Sequence, residues 1–322
     1  MSSGISYSII QSMEKPRPPV QIGRVLEGEH SEEFDYLRQK VADLGIQTIV
    51  TSRGGGALLQ RTLGFLPQLF EEGALGDAPW GMVGTSTGAI STFMARSIGF
   101  ANLAAWHESV QSVADFKGLA PWIKLTTKPG IRDMAFLKLN FLEYYDQYMR
   151  GAETHDYSDE QAIAEHKKPA LNAVVVTRRW GFQPHIYHDE HWQREDGSLD
   201  IAKMVSSVEG SCALPVFAAT HDEHIGAVID GALNRYDLQA PISVAERLLE
   251  GRKGKIISIE PASHIDRGIH IEARNGLTII RVAMERQVSL ARKAQNIFVF
   301  DQEGYDVGRY WGKYAAEVIK QI

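Results

Sequence analysis

The sequence predicts an α/β fold, with a mainly parallel central sheet, helices on both faces and therefore three layers. Short apolar, β-branched runs alternate with segments of helical spacing, and a strand–turn–helix unit occurs twice between residues 46 and 98. The run at 173–178 is almost continuously β-branched, as is typical of strands buried on both faces. With 322 residues, 44% of them apolar, the chain can bury a large core.

The N-terminal half is predicted from capping signals and glycines. Residues 1–30 include Lys15-Pro-Arg-Pro-Pro19, which cannot sustain a helix, and we expect a flexible lead-in there. The remainder, 31–322, is predicted as a single domain. Ser31 and the acids after it begin a helix that Gly45 ends. The next predicted elements are a strand at 46–51, a helix at 58–72, a strand at 80–83 and a helix at 87–98.

The C-terminal half continues the alternation after a helical insertion at about 101–165, which is rich in aromatic residues. The predicted strands are 173–178, 185–188, 225–229, 256–259 and 297–300. The predicted helices are 202–208, 277–295 and 312–322. The helix at 277–295 is based on the spacing of Ile280, Met284 and Val288.

Charge and cysteine content exclude several classes of protein. The net charge is −6, which argues against general nucleic-acid binding and against attraction to anionic lipid by bulk charge. Cys212 is the one cysteine, so a disulfide scaffold or a multi-cysteine zinc site is excluded. No apolar run approaches the ~20 residues of a membrane span, and no secretory signal is visible. We therefore expect a cytoplasmic protein.

The strongest local motif is Gly84-Thr-Ser86-Thr-Gly88, which lies between a predicted strand and a predicted helix. A serine in such a sharp turn presents its hydroxyl outward, and a side chain at either glycine would collide with neighbouring backbone. The helix N-terminus behind it favours developing negative charge. The alternative is a glycine-rich turn with a serine at a helix N-cap.

Two further motifs follow predicted strands. Gly54, Gly55 and Gly56 expose consecutive backbone N–H groups, which can bind a phosphate or an acyl oxyanion, and the alternative is a flexible turn. Asp230-Gly231-Ala232 places a carboxylate at a strand end, where active-site crevices lie in α/β folds. Taken alone, the motif favours a turn aspartate over a functional carboxylate.

In this order, the three motifs resemble the patatin-like phospholipase family. The run from Gly54 to Leu66 aligns without gaps to the family's glycine-rich loop and helix, and Ser211-Cys-Ala-Leu-Pro-Val-Phe217 resembles the segment that precedes its Asp-Gly pair. The resemblance extends from about residue 46 to 241. It implies a three-layer patatin-like fold and a lipid acyl hydrolase of phospholipase A or lysophospholipase type, without a cofactor.

The resemblance also implies a Ser–Asp dyad, with Ser86 as nucleophile, Asp230 as base and the glycines at 54–56 as the oxyanion hole. The chain departs from the family at Leu58-Leu59, where Arg or Lys followed by Gly is usual, and at Arg53, where Asp is common. Arg61 is a candidate for the missing charge. The rival hypotheses are an α/β-hydrolase-type esterase whose histidine is His264 or His270, and a non-catalytic patatin-like scaffold.

Two remaining features concern ligands. His185, His188 and His191 recur every third residue, but on strand and loop this spacing scatters them, so we expect a solvated loop and no metal site. A lipid or lysolipid substrate requires peripheral contact with a membrane. We expect that contact at the aromatic segment 136–149, which contains Phe141, Tyr144, Tyr145 and Tyr148.

Overall fold

A computed structural model of the chain describes residues 31–54, 59–97, 99, 168–178, 184–213, 220–222, 226–231, 240–261, 263, 265–285 and 302–322. The predicted lead-in at 1–30, the helical insertion at 101–165 and the strand at 297–300 lie outside the described residues.

Nine strands and six α-helices are described. The helices are α1 (Ser31–Asp43), α2 (Leu59–Glu71), α3 (Thr87–Ser97), α4 (Ile201–Ser211), α5 (Ala240–Leu248) and α6 (Gln302–Ile319). The strands are β1 (Thr48–Ser52), β2 (Trp80–Thr85), β3 (Leu171–Arg178), β4 (Pro184–His188), β5 (Thr220–Asp222), β6 (Gly226–Ile229), β7 (Gly254–Glu260), β8 (Gly268–Arg274) and β9 (Leu277–Ala283). A 3-10 turn, Asp189–Trp192, follows β4 directly.

The strands form one mixed sheet in which hydrogen-bonded neighbours follow the path β5-β6-β3-β2-β1-β7-β9-β8. β4 pairs with β3 along one edge, and β2 and β6 pair with successive parts of its other edge. The five strands from β3 to β9 along this order are parallel to one another. The other four strands are antiparallel to their partners. The prediction of an α/β fold with a mainly parallel central sheet is therefore confirmed.

Alternate residues of the central strands feed two separate cores, one on each face of the sheet. Val50, Met82 and Val174 pack with α2, α3, α4 and α6 on one face. Ile49, Val83 and Val175 pack with α1 and α5 on the other. Because side chains alternate along a strand, strands that are apolar at every position need cover on both faces. Both predicted helical layers are present.

The predicted helix at 277–295 is wrong in its described part. Residues 277–283 form β9, which pairs with β7 on one side and with β8 on the other. Four of the five residues from Thr278 to Val282 are β-branched, which supports the extended conformation. Asn275 and Gly276 both have positive φ, as a tight hairpin turn requires, so the Asn-Gly pair was the sequence signal for the β8–β9 hairpin.

Candidate active site

Ser86 forms the turn between β2 and α3. Its φ is 54°, one of two positive values among the described non-glycine residues, and its exposed fraction is 8%. This conformation is unfavourable for a residue with a side chain, and such strain is typical of functional sites. The backbone carbonyl of Ser86 accepts a hydrogen bond from the N–H of Ala89 at 2.8 Å, so Ser86 lies directly at the N-terminus of α3.

The glycines on either side of Ser86 lie where a β-carbon would strike backbone atoms. A β-carbon on Gly84 would lie 2.6 Å from the carbonyl carbon of Gly88. A β-carbon on Gly88 would lie 2.5 Å from the carbonyl carbon of Ser52, at the end of β1. The turn can therefore pack between β1 and α3 only because both positions lack side chains.

The register of β3 brings Asp230 towards Ser86. Val175 pairs with both Thr85 and Ile186, and Thr177 pairs with both Ile229 and Pro184. Since β4 supplies one partner of each pair, β2 and β6 must lie along the same edge of β3. They run in opposite directions and end on either side of Val176. The residues that follow the two strands, Ser86 and Asp230, consequently meet at that level.

Packing around Gly231 supports the same arrangement. A β-carbon on Gly231 would contact the hydroxyl of Thr85 and lie 2.8 Å from the carbonyl carbon of Val175. Asp230 has an exposed fraction of 1%, and its backbone N–H donates to the carbonyl of Ala213 at 2.8 Å. The Asp-Gly pair is thus held against the residue that precedes Ser86.

Ser211, at the end of α4, links the turn that follows β2 to strand β3. Its hydroxyl accepts a hydrogen bond from the backbone N–H of Ser86 at 2.8 Å and donates one to the carbonyl of Val175 at 2.5 Å. Although Ser211 lies in the segment that resembles the family, its side-chain role follows only from the pairing of β2 with β3. No local pattern predicted it.

The glycine-rich loop begins beside the serine. A β-carbon on Gly54 would lie 2.8 Å from Oγ of Ser86, so a residue with a side chain cannot occupy this position without displacing the hydroxyl. Gly55 and Gly56, the predicted oxyanion donors, lie outside the described residues. Ser52 is the last residue of β1 and pairs with Gly84 of β2, and Gly54 follows Ser52 by two residues.

A buried ion-pair cluster supports the start of this loop. Arg281 forms two contacts with the Glu260 carboxylate, Nε to Oε1 at 2.5 Å and Nη2 to Oε2 at 3.0 Å. Arg53 Nη1 lies 4.0 Å from Glu260 Oε2, and the Arg53 N–H donates to the carbonyl of Ile259 at 3.1 Å. Ser263 also donates to the carboxylate.

The charges of the cluster decide the ionisation of its carboxyl group. Burial alone raises the pKa of Glu260, but the hydrogen bonds and charge of Arg281, with Ser263 and Arg53, outweigh it and leave the pKa below 4.5. Two guanidinium groups thus share one ionised carboxylate next to the glycine-rich loop. Arg61, the predicted source of charge, instead lies 2.5 Å from the carboxylate of Glu285.

Two other candidate nucleophile or base residues do not fit the site. His270 lies on β8, four strand spacings from β2, or about 19 Å across the sheet, and its Nε2 is 2.8 Å from the carbonyl of Asp266. It is therefore too far from Ser86 to act as a triad histidine, and His264 lies outside the described residues. Burial, with the Asp230 and Glu209 carboxylates, raises the pKa of Cys212 well above 9.0, so its thiol stays protonated.

The three histidines at 185–191 converge, which contradicts the predicted solvated loop. His185 and His188 lie on β4, and His191 lies in the 3-10 turn. His188 is buried, and its ring centroid is 4.0 Å from that of His191. Burial, followed by His191, Lys40 and His185, lowers the pKa of His188 to about 3. The spacing failed as a guide because the 3-10 turn folds His191 back over the strand end.

Comparison with known proteins gives remote structural similarity only. No family model matches the chain, and no curated protein matches it. VipD from Legionella pneumophila is similar to it with 13% identity and a TM-score of 0.37, over 83% of this chain and 67% of VipD. A chain of the ExoU–SpcU heterodimer, from the type III secretion system of Pseudomonas aeruginosa, has 14% identity and a TM-score of 0.36, over 86% of this chain. This chain spans about half of that ExoU–SpcU chain, 52%.

Among the described residues, no helix has both the length and the apolar character needed to cross a membrane.

Proposed function

We propose that the chain is a patatin-like serine acyl hydrolase that cleaves carboxylic esters of lipids or lysolipids. The observation that carries the proposal is the meeting of β2 and β6 on one edge of β3, which brings the ends of both strands to Val176. Ser86, in a strained turn at a helix N-terminus, and the buried Asp230 are the residues that follow these two strand ends. A nucleophile needs its base within hydrogen-bond reach, and the convergence of the two strand ends supports such a pairing of Ser86 with Asp230.

In the proposed reaction, the Asp230 carboxylate accepts the proton of the Ser86 hydroxyl while Oγ attacks the ester carbonyl. The N–H groups of Gly55 and Gly56 stabilise the resulting oxyanion, helped by the N-terminus of α3. The alcohol or lysolipid leaves with the proton and an acyl-enzyme remains. Water then attacks the acyl group and gives its proton to Asp230. As the bond between the acyl carbon and Oγ breaks, Asp230 returns this proton to Oγ of Ser86, so the fatty acid is released and both residues are restored.

The surroundings of the serine support a dyad without histidine. Asp230 is almost fully shielded from solvent, and in such a site a carboxylate interacts more strongly with a hydroxyl than it does in water. The Ser86 amide is already bonded to Ser211. That amide is therefore not an oxyanion donor, and we assign the donors to the glycine-rich loop, which begins at Gly54 beside Ser86.

Labelling with a fluorophosphonate tests the nucleophile. Wild-type protein should be labelled at Ser86, and Ser86→Ala should lose both the label and ester hydrolysis while the fold persists. Ser91→Ala is the matched control, because Ser91 is buried on α3, the helix that follows Ser86, and its hydroxyl has no hydrogen-bond partner among the described residues. Labelling that survives in Ser86→Ala but is lost in Ser91→Ala would refute the assignment. Absence of labelling in folded wild type would favour the scaffold hypothesis.

A lipid-class panel, read by mass spectrometry, tests the substrate. Release of free fatty acid from phospholipids or lysophospholipids by wild type, and none by Ser86→Ala, is the expected result. Hydrolysis of dispersed short-chain esters without action on vesicles would instead indicate an esterase of small substrates.

Peripheral membrane contact is the remaining part of the proposal. The segment that we nominate for it, 136–149, lies outside the described residues. Aromatic docking should depend little on salt, whereas attraction to anionic head groups is screened over ~8–10 Å. Co-sedimentation with neutral and anionic vesicles at low and high salt separates the two. Binding to anionic vesicles alone, lost at high salt, would indicate that a basic patch and not the aromatic segment 136–149 is the docking surface.

A further inference from the structure

Glu33, His188 and His191 form a compact cluster of metal-ligand atoms. The Nε2 atoms of His188 and His191 each lie 3.7 Å from Oε1 of Glu33. One ligand atom from each of the three residues lies within 4.8 Å of the other two. The residues come from three elements: the first turn of α1, the end of β4 and the following 3-10 turn. Two imidazoles and one carboxylate are a donor set that zinc and related divalent metals favour.

Glu190 orients the buried histidine for this task. Its Oε2 lies 2.5 Å from Nδ1 of His188, and its other carboxylate oxygen contacts the ammonium group of Lys40. Because Lys40 keeps Glu190 as an acceptor, Nδ1 of His188 must donate, and Nε2 then presents a lone pair to Glu33. A carboxylate behind a ligating histidine is the usual outer support of a metal site.

This orientation sets two acceptors opposite each other. The lone pair of His188 Nε2 faces a carboxylate oxygen of Glu33 across 3.7 Å, an arrangement that a cation between them would stabilise. Ligands around a tetrahedral ion with bonds of 2.0–2.2 Å lie ~3.3–3.6 Å apart, so the two carboxylate–imidazole distances need only a small closure. The two imidazoles, whose ligand atoms lie within 4.8 Å, must approach by at most about 1.5 Å.

We propose that Glu33, His188 and His191 bind one zinc-type divalent metal ion, with solvent as the fourth ligand, and that the ion clasps the start of α1 against the end of β4. Binding of the metal ion has one energetic cost. The N–H of His188 donates to Nδ1 of His191 at 3.2 Å, so the His191 proton must move from Nε2 to Nδ1 and this contact is lost.

The proposed metal site is separate from the proposed hydrolase site. His188 pairs with Ala173, near the amino end of β3, whereas Ser86 follows β2 beyond the level of Val175, near the carboxyl end. The ion would stabilise the packing of α1 and take no part in ester hydrolysis. Its binding can therefore be tested independently of the activity.

Metal binding is measured on the full chain after treatment with a chelator and dialysis. Zn²⁺ affinity is obtained by competition with a chromophoric chelator, Co²⁺ is used as a spectroscopic probe, and Mg²⁺ is the negative control. Wild type should bind one Zn²⁺ per chain, give tetrahedral Co²⁺ absorption and gain thermal stability with Zn²⁺ but not Mg²⁺. Ester hydrolysis should be the same with and without Zn²⁺.

Three variants test the ligand set. Glu33→Gln and His191→Gln, both on partly exposed side chains, should weaken Zn²⁺ binding about tenfold or more. His270→Gln removes a histidine on β8 and should leave the affinity unchanged. Circular dichroism checks that each variant folds. Absence of stoichiometric Zn²⁺ binding by wild type, or equal affinity in wild type and both ligand variants, overturns the proposal.

Discussion

The two halves of the sheet's carboxyl edge are stabilised in different ways. Around β2, β3 and β6, backbone approaches backbone at Gly84, Gly88 and Gly231, and the hydroxyl of Ser211 completes the contacts. Around β1, β7 and β9, the contacts are between buried charges, with Glu260 held by Arg281 and Arg53. The glycine-rich loop leaves the sheet where the two halves meet.

The difference separates two requirements of the proposed site. A strained serine turn needs close approach of neighbouring chains, which only small residues allow, and this half should tolerate no added volume. The charged half orients the peptide at Arg53 that leads into the loop, and it should respond to the removal of charge and to pH. Substitutions can therefore test the two halves separately, each against a control variant.

The largest expected effect is on catalysis. Asp230→Asn replaces the proposed base by an amide that cannot accept the serine proton, and kcat should fall by about 10²–10⁴-fold. His270→Ala, on the far strand β8, should retain full activity. Steady-state ester hydrolysis of both folded proteins measures the contrast. Comparable losses in the two variants would contradict the dyad.

The charged half should be the most sensitive in stability. Glu260→Gln leaves two buried guanidinium groups without their counter-charge and should lower the free energy of unfolding by about 3–5 kcal/mol. Glu250→Gln breaks a surface pair with Arg38 at 3.5 Å and should cost less than about 1 kcal/mol. Urea denaturation at pH 7 compares them. Equal costs would show that the buried cluster is not stabilising.

The pH dependence of the same cluster has a defined sign. Since the pKa of folded Glu260 lies below 4.5, its contribution to stability is complete above that pH and is lost as the pH falls through the lowered folded value. Wild type should therefore lose stability more steeply below pH 4.5 than Glu260→Gln does. Denaturation midpoints at a series of pH values provide the test, and parallel curves would contradict it.

Added side-chain volume in the close-packed half should lower the free energy of unfolding. Gly84→Ala places a methyl group 2.6 Å from the carbonyl carbon of Gly88, and we expect a loss of about 3 kcal/mol in unfolding free energy. Gly81→Ala, on the same strand, places its methyl group 3.6 Å from the nearest atoms and should cost less than about 1 kcal/mol. Equal stabilities would mean that the turn relaxes more easily than the contacts imply.

The Ser86 turn in the close-packed half was predictable from the sequence because its signals are local, whereas the contact of Ser211 with Ser86 was not. Glycines two residues before and after Ser86, a preceding apolar run and a following helical pattern all lie within about 20 residues. The charged half was not predictable, since Arg53, Glu260 and Arg281 are far apart in the chain and Arg281 lies in a strand that was predicted as a helix. Only the parallel pairing of β1, β7 and β9 brings them together.

The same limit applies to the proposed metal cluster. The three-residue spacing of the histidines is visible in the sequence, but the ligand that completes the set, Glu33, lies 155 residues before His188. The packing of α1 against β4 and the geometry of the 3-10 turn decide whether such spacing converges. Periodicity assumes one regular element, and here the histidines span a strand and a turn.

The smallest expected effect tests whether Ser211 positions the proposed nucleophile or only fills space. Ser211→Ala removes the acceptor of the Ser86 N–H and the donor to the Val175 carbonyl, so two buried backbone groups lose their partner. We expect a loss of about 1–2 kcal/mol in unfolding free energy.

If the hydroxyl of Ser211 also fixes the Ser86 turn, kcat should fall about tenfold with KM unchanged, because about 1.4 kcal/mol of transition-state positioning is lost. Ser206→Ala, which removes an exposed hydroxyl bonded within the same helix, should change neither quantity. Ser211→Thr keeps the hydroxyl and should recover kcat where it folds. A stability loss without any change in kcat would assign Ser211 a purely structural role.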